Sequence, residues 1–265
     1  MALTKYPKST DSFQVTFKNV EFSYKKDEHI KALAGVDFCA NQGEVTAIVG
    51  PSGSGKSTIA HLTPRFFDVD SGKILIGGVD VREFTSSYLM EKVSFVFQDV
   101  FLFKQSIYDN IAMGNPNATK ADIENAAKAA QCQEFIEKLP NGYQTIIGTK
   151  GVHLSGGEQQ RLAIARAIVK DAPIVVLDEA TAFADPENEH LIQKAFEKLM
   201  KNKTVIIIAH RLSTVRNANK IIVMNQGKVV EEGTHDELVA QKGKYAAMWK
   251  TYNTTSSWIM NDKEG

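Results

Sequence analysis

Val45-Thr46-Ala47-Ile48-Val49-Gly50-Pro51-Ser52-Gly53-Ser54-Gly55-Lys56-Ser57-Thr58 is the stretch on which the fold turns. A short apolar run, Val45 to Val49, opens into a glycine-rich turn and then into a segment that can start a helix near Lys56. Residues Gly50 to Ser57 fit the G-x-x-x-x-G-K-[ST] phosphate loop in full, and the flanking strand and helix separate the motif from an ordinary Gly/Ser turn. Glycines let the backbone wrap phosphates and turn N–H groups inward. The Lys56 ammonium can reach terminal phosphates, and Ser57 can ligate Mg²⁺. Gly50, Pro51, Ser52, Gly53, Ser54, Gly55, Lys56, Ser57 and Thr58 are thus candidate phosphate-binding residues.

Further out, Val93-Ser94-Phe95-Val96-Phe97, Ile174-Val175-Val176-Leu177 and Val205-Ile206-Ile207-Ile208 are short, nearly continuous apolar runs. With Val45 to Val49 they read as strands covered on both faces, the pattern of a parallel sheet in an α/β protein. The run ending at Leu177 delivers Asp178 and Glu179 at its C-terminal end, where ligands sit in open α/β sheets. One carboxylate suits Mg²⁺, and the next can orient and deprotonate an attacking water. Adjacent carboxylates at a strand end are often only surface charge; beside a phosphate loop they become a candidate site.

Leu154-Ser155-Gly156-Gly157-Glu158 is a second feature of the same kind. Ser155, Gly156 and Gly157 leave backbone N–H groups uncovered where a helix-like run from Glu158 to Val169 begins, so the sequence predicts a second anion-seeking helix start. Two such starts in one chain need a reason.

Residues 13–24 alternate, with Phe13, Val15 and Phe17 apolar, which predicts a half-buried strand in an antiparallel N-terminal β-subdomain. Thr119-x-x-Asp122 resembles a capping box, and Ile123, Ala127 and Ala130 recur at helical spacing. Cys132, Phe135, Ile136 and Leu139 continue the pattern until Pro140-Asn141-Gly142 stops it. Residues near 105 to 170 therefore read as a helical insertion into an α/β core. Met1 to Ser12 and Asn253 to Gly265 are polar and are expected to be loosely ordered.

The 265 residues, 43% of them hydrophobic, suffice for a substantial core. Thirty-one basic residues balance thirty-one acidic ones, so charge gives no reason to expect a nucleic acid or an anionic membrane as partner. No window approaches about 18 consecutive apolar residues and the start lacks a signal-peptide core, so the chain is expected to be soluble and unexported. Cys39 and Cys132 stand far apart and read as reduced thiols rather than a disulfide or metal site.

Taken together, Gly50 to Ser57, Leu154 to Glu158 and Ile174 to Glu179 resemble the Walker A, signature and Walker B motifs of the nucleotide-binding domain of ATP-binding cassette (ABC) proteins, over roughly residues 13–250. The resemblance implies an α/β P-loop NTPase (RecA-like) core with a mostly parallel sheet, an N-terminal antiparallel β-subdomain and an inserted α-helical subdomain at about 105–170. A linker remnant at 1–12 and a flexible tail at 251–265 would flank it. ATP and Mg²⁺ are the implied ligands. Gln98, ending the run Val93 to Phe97, matches the Q-loop glutamine that contacts Mg²⁺ and couples the site to the partner domain. His210, in Ala209-His210-Arg211-Leu212-Ser213, matches the switch histidine at the γ-phosphate. Asp185, in Ala184-Asp185-Pro186, matches the D-loop aspartate. Tyr24, in Phe22-Ser23-Tyr24, sits where the family stacks an aromatic ring on adenine.

The family also supplies a reason for two helix starts. In it, the signature motif of one copy closes over the ATP held by the Walker motifs of another, so one chain owns two half-sites and hydrolysis requires a dimer. The implied mechanism is in-line attack of water on the γ-phosphate with Glu179 as base. Asp178, Gln98 and Ser57 support Mg²⁺, Lys56 and His210 neutralise charge, and Ser155, Gly156 and Gly157 close the far side.

Within the superfamily, Phe17 to Tyr24, Gln98 to Phe103, Ser106 to Ile111 and Gly233 to Leu238 resemble cassettes fused behind the membrane domain of exporters. The interval from Ser57 to Leu154 holds no long heptad run, unlike chromosome-maintenance and repair ATPases, and there is no second cassette as in tandem translation factors. The implied role is the ATP-hydrolysing motor of a transporter at the cytoplasmic face of a membrane. Its partners are a second nucleotide-binding domain, in a homo- or heterodimer, and a transmembrane domain, with no nucleic acid. The alternatives are a regulatory cassette that dimerises on ATP without turnover, disfavoured because Glu179 and His210 are both present, and a soluble non-transport ABC ATPase acting on a ribosome or DNA, disfavoured by the neutral charge and the missing insertions. Three sites depart from the exporter pattern: Glu158 where many members carry Gln, Thr149 where a glutamate is frequent, and Ala182-Phe183-Ala184 before Asp185.

Overall fold

The computed structural model describes residues 9–25, 30–97, 99–148, 152–178, 186–209 and 212–261. In chain order the strands are β1 (Val15–Phe22), β2 (Leu33–Ala40), β3 (Val45–Val49), β4 (Ser71–Ile76), β5 (Val79–Asp80), β6 (Val93–Val96), β7 (Ile174–Asp178), β8 (Thr204–Ile208), β9 (Lys220–Asn225) and β10 (Lys228–Gly233). The α-helices are α1 (Lys56–Leu62), α2 (Ser86–Lys92), α3 (Ile107–Ala112), α4 (Lys120–Ala129), α5 (Gln133–Glu137), α6 (Gly156–Lys170), α7 (Pro186–Met200), α8 (His235–Ala240) and α9 (Lys244–Asn261). They form two compact units, one of residues 1–89 with 204–265, the other of residues 90–203.

In the first unit, β2, β1, β4 and β5 lie in that order in an antiparallel sheet. Strand β1 begins with the expected alternation, burying Val15 and Phe17, but the register slips between Phe17 and Val20, and Asn19 takes φ +44°. This bulge inserts extra residues, so burial resumes at Val20 and Phe22. Strand β3 is parallel to both β8 and β9, and β10 returns antiparallel to β9. Ala47, Ile48 and Val49 of β3 are fully buried, as two covered faces require.

Helix α9 continues to Asn261, and Trp249 and Tyr252 pack against the core around Leu238 and fully buried Tyr245. Tyr245, Met248, Trp249 and Tyr252 recur at helical spacing, an apolar stripe that outweighs the polar composition around it. The Glu231 carboxylate on β10 accepts from the Lys244 and Tyr245 N–H groups and so satisfies the helix start.

In the second unit, β6 and β7 pair in parallel, Val93 opposite Ile174 through Val96 opposite Leu177. Helix α6 packs against α3, α4 and α7. The Thr119–Asp122 capping box forms at the start of α4, as its spacing predicts. Arg166 of α6 donates to the Asn110 carbonyl at 2.9 Å, to Asn110 Oδ1 at 3.1 Å and to the Phe101 carbonyl at 3.2 Å. Those bonds fix the segment 101–110 on the helix that begins at Gly156.

Candidate nucleotide site

The phosphate loop follows the C-terminal end of β3 and closes into α1. At Gly50 a Cβ would collide with the Met224 carbonyl on β9, and at Gly55, φ +101°, it would lie 2.6 Å from the Ala32 carbonyl and 2.7 Å from Leu33 Cδ2. No side chain caps α1 at Gly55. Lys56 is 4% exposed and bends its ammonium back over the loop, donating to the Gly50 carbonyl at 2.8 Å and the Pro51 carbonyl at 2.9 Å. Ser54 Oγ is buried with no hydrogen-bond partner. A buried cation, an orphaned hydroxyl and a cradle closed to any Cβ are what a polyphosphate needs, so the loop fits a nucleoside triphosphate. Ser57 beside it is exposed, with its hydroxyl available to a phosphate-bound Mg²⁺.

One supporting residue escaped the sequence reading. The turn between β9 and β10 carries Gln226 at φ +49° and Gly227 at φ +73°, and the Gly227 N–H donates to the Ser54 carbonyl at 3.1 Å. Its own carbonyl accepts from Ala34 at 2.8 Å, so the hairpin clamps the loop to the start of β2. The signal was the positive-φ pattern of a two-residue hairpin turn, which Gln-Gly announces less clearly than Asn-Gly. Tyr24 stands just past β1, 53% exposed, and its hydroxyl donates to Thr58 Oγ1 at 3.3 Å on α1. Tyr24 and Gly50 to Thr58 are therefore brought together within the first unit.

In the second unit, Ser155 is the N-cap of α6, and the helix begins at Gly156 rather than Glu158. The expectation of uncovered N–H groups fails at Ser155. The Ser155 N–H donates to Glu158 Oε2 at 2.7 Å and the Glu158 N–H donates to Ser155 Oγ at 3.3 Å, a capping box that satisfies two donors within the chain. The Ser-x-x-Glu spacing carried that signal in the sequence. Gly157 is buried against α7, where an added Cβ would come within 2.8 Å of Asn188 Cγ and Oδ1. Asn188 Oδ1 accepts from Arg161, itself 4% exposed with its guanidinium 5.4 Å from the Phe135 ring centre.

That arrangement makes Gly157→Ala informative. Alanine gains about 0.5–1 kcal/mol of helix propensity, while displacing Asn188 from a charged partner costs roughly 1.5–3 kcal/mol. A net loss of about 1–2 kcal/mol is expected, read as a lower urea midpoint with unchanged slope.

Asp178 closes β7 at its C-terminal end, where the sequence places it. Gln98, Glu179, Asp185 and His210 lie outside the described residues, as does Thr149. No cluster of three or more metal-ligating His, Cys, Asp or Glu side chains occurs among the described residues. None is required, since a nucleotide's own oxygens supply much of the shell of a Mg²⁺ ion.

With this geometry in view, the relatives are consistent. The family model described as ABC transporter matches residues 33–182. An ATP-dependent lipid A-core flippase of Chromohalobacter salexigens is 51% identical over 235 residues, which are 89% of this chain and 40% of that protein. A mycobactin import ATP-binding/permease protein, IrtA, of Mycolicibacterium smegmatis is 48% identical over 237 residues, 89% of this chain and 27% of that protein. Among solved structures, a bacterial Atm1-family ABC exporter with ATP bound superposes with a TM-score of 0.88 and 42% identity, covering 94% of this chain and 43% of that one. The chain thus spans about two fifths of the flippase and of the solved exporter, and less of the importer. A phosphate loop built for a triphosphate, an α/β core and these matches lead to one conclusion: the chain belongs to the ABC transporter family, as its nucleotide-binding ATPase domain.

Proposed function

We propose that the chain is the motor of a membrane transporter, binding Mg·ATP, closing head to tail on a second nucleotide-binding domain and reopening after hydrolysis. The observation that carries this reading is the buried Lys56 ammonium over the Gly50 and Pro51 carbonyls, next to the orphaned Ser54 hydroxyl. In it Lys56 and the loop N–H groups hold the phosphates, Tyr24 carries the adenine, and Ser57, Asp178 and Gln98 hold Mg²⁺. The metal, once bound, neutralises phosphate charge. Glu179 takes the proton of the attacking water, His210 contacts the γ-phosphate, and Ser155, Gly156, Gly157 and Asp185 complete the site of the opposite copy.

A membrane domain is the second partner, placing the chain at the cytoplasmic face. Supporting it, no helix among the described residues is long and apolar enough to cross a membrane, whereas the relatives are longer proteins named as flippases and permeases. The second unit also exposes Phe101 (68%), Ile146 (61%) and Phe103 (43%), and Phe101 lines a cleft of about 220 Å³ together with Leu102, Leu154, His153 and Gln159. Phosphate release by the purified chain tests the motor reading. Saturable, Mg²⁺-dependent turnover is expected; tight ATP binding without turnover would instead establish a regulatory cassette.

A further inference from the structure

We propose that Phe67 is a positioning residue for the nucleobase, holding the Tyr24 ring so that part of it stays presented to adenine. The inference rests on the reading of Tyr24 as the base platform and goes one residue beyond it.

Tyr24 is more than half exposed, yet its ring is held from three directions. Phe22, the last residue of β1, meets it edge-on at 4.9 Å between ring centres, with 83° between planes. Phe67 meets it in the same manner at 5.6 Å and 85°. The third hold is the hydroxyl bond to Thr58 on α1, two residues beyond Lys56. Phe22 and Phe67 also touch each other, at 5.7 Å, so the three rings form one cluster.

Phe67 is placed by the backbone rather than by a core. The segment after α1 is stitched to the end of β1, with the Asp70 N–H donating to the Glu21 carbonyl at 2.9 Å and the Ser23 N–H donating to Asp70 Oδ2 at 2.7 Å. Arg65 Nε donates to Asp68 Oδ1 at 2.7 Å and holds the same turn from its other side. Phe67 itself is 45% exposed, so burial does not account for a large apolar ring at this position. Its contact with Tyr24 does. An edge-on aromatic pair is attractive beyond its buried area, and a platform already fixed in its bound orientation loses little freedom when the base arrives.

The test separates base from phosphate recognition. Calorimetric titration of the purified chain with Mg·ATP and with Mg·tripolyphosphate, which has no base, gives two dissociation constants for each variant. Phe67→Ala is expected to weaken ATP binding about three- to tenfold, the range spanned by one aromatic pair, and to leave tripolyphosphate binding unchanged, which also reports an intact loop. Phe67→Tyr keeps the ring and restores ATP affinity. Unchanged ATP affinity in Phe67→Ala, or equal weakening toward both ligands, overturns the proposal while leaving the platform intact, provided that Tyr24→Ala weakens ATP alone. If Tyr24→Ala has no selective effect on ATP, the platform reading itself falls, and this one with it.

Discussion

Lys56→Ala is expected to lower ATP turnover by about 10²–10³-fold, the loss typical when one charged or dipolar partner of a developing negative charge is removed. Two consequences of the geometry combine. The ammonium is buried and already desolvated, so its attraction to phosphate oxygens is weakly screened. It also ties the carbonyls of Gly50 and Pro51, so its removal loosens the loop that sets the N–H groups. ATP affinity should fall together with turnover, read by titration and by phosphate release. Arginine is no substitute: its planar fork does not reproduce a compact ammonium held between two carbonyls. A Lys56→Ala chain with unaltered affinity and turnover would remove the phosphate loop from the site.

The second large effect belongs to Glu179. Its amide replacement removes a proton acceptor while keeping size and polarity, and general-base catalysis is worth about 10²–10⁴ in rate. Glu179→Gln should therefore lose turnover by that factor but retain ATP binding, whereas Lys56→Ala loses both. This contrast separates a group that acts on water from one that holds phosphate.

How much of this was legible in the sequence depends on the range of the interactions involved. The phosphate loop was readable because its glycines answer to local demands: Gly50 and Gly55 sit where any side chain would strike neighbouring backbone. The apolar runs that became β3, β7 and β8 were readable because two-sided burial leaves them almost wholly apolar, Thr46 of β3 being the exception. Ile221 to Met224 of β9 has the same character and was passed over. Strand order was not legible, since β9 is parallel to β3 only through a crossover that no local pattern records. The bulge in β1 was hidden as well, because Asn19 reaches positive φ through sheet pairing rather than through a glycine. Ahead of the polar end, Tyr245, Trp249 and Tyr252 form an aromatic stripe that docks the first half of α9 on the core, a stripe the sequence reading did not single out. At the signature motif, the reading of open N–H groups overlooked Glu158, whose carboxylate completes a cap with Ser155.

The cassette is about equally similar to a lipid flippase and to a mycobactin importer, at 51% and 48% identity. Under the proposed mechanism the chain must pair, because the phosphate loop and the signature helix start would then belong to two separate sites.

The mass of the Glu179→Gln chain by light scattering, with and without saturating Mg·ATP, tests that claim most directly. Blocking turnover lets the closed state accumulate, so the account predicts a monomer without nucleotide and twice that mass with it. A monomer under both conditions, with ATP shown to be bound, would contradict it.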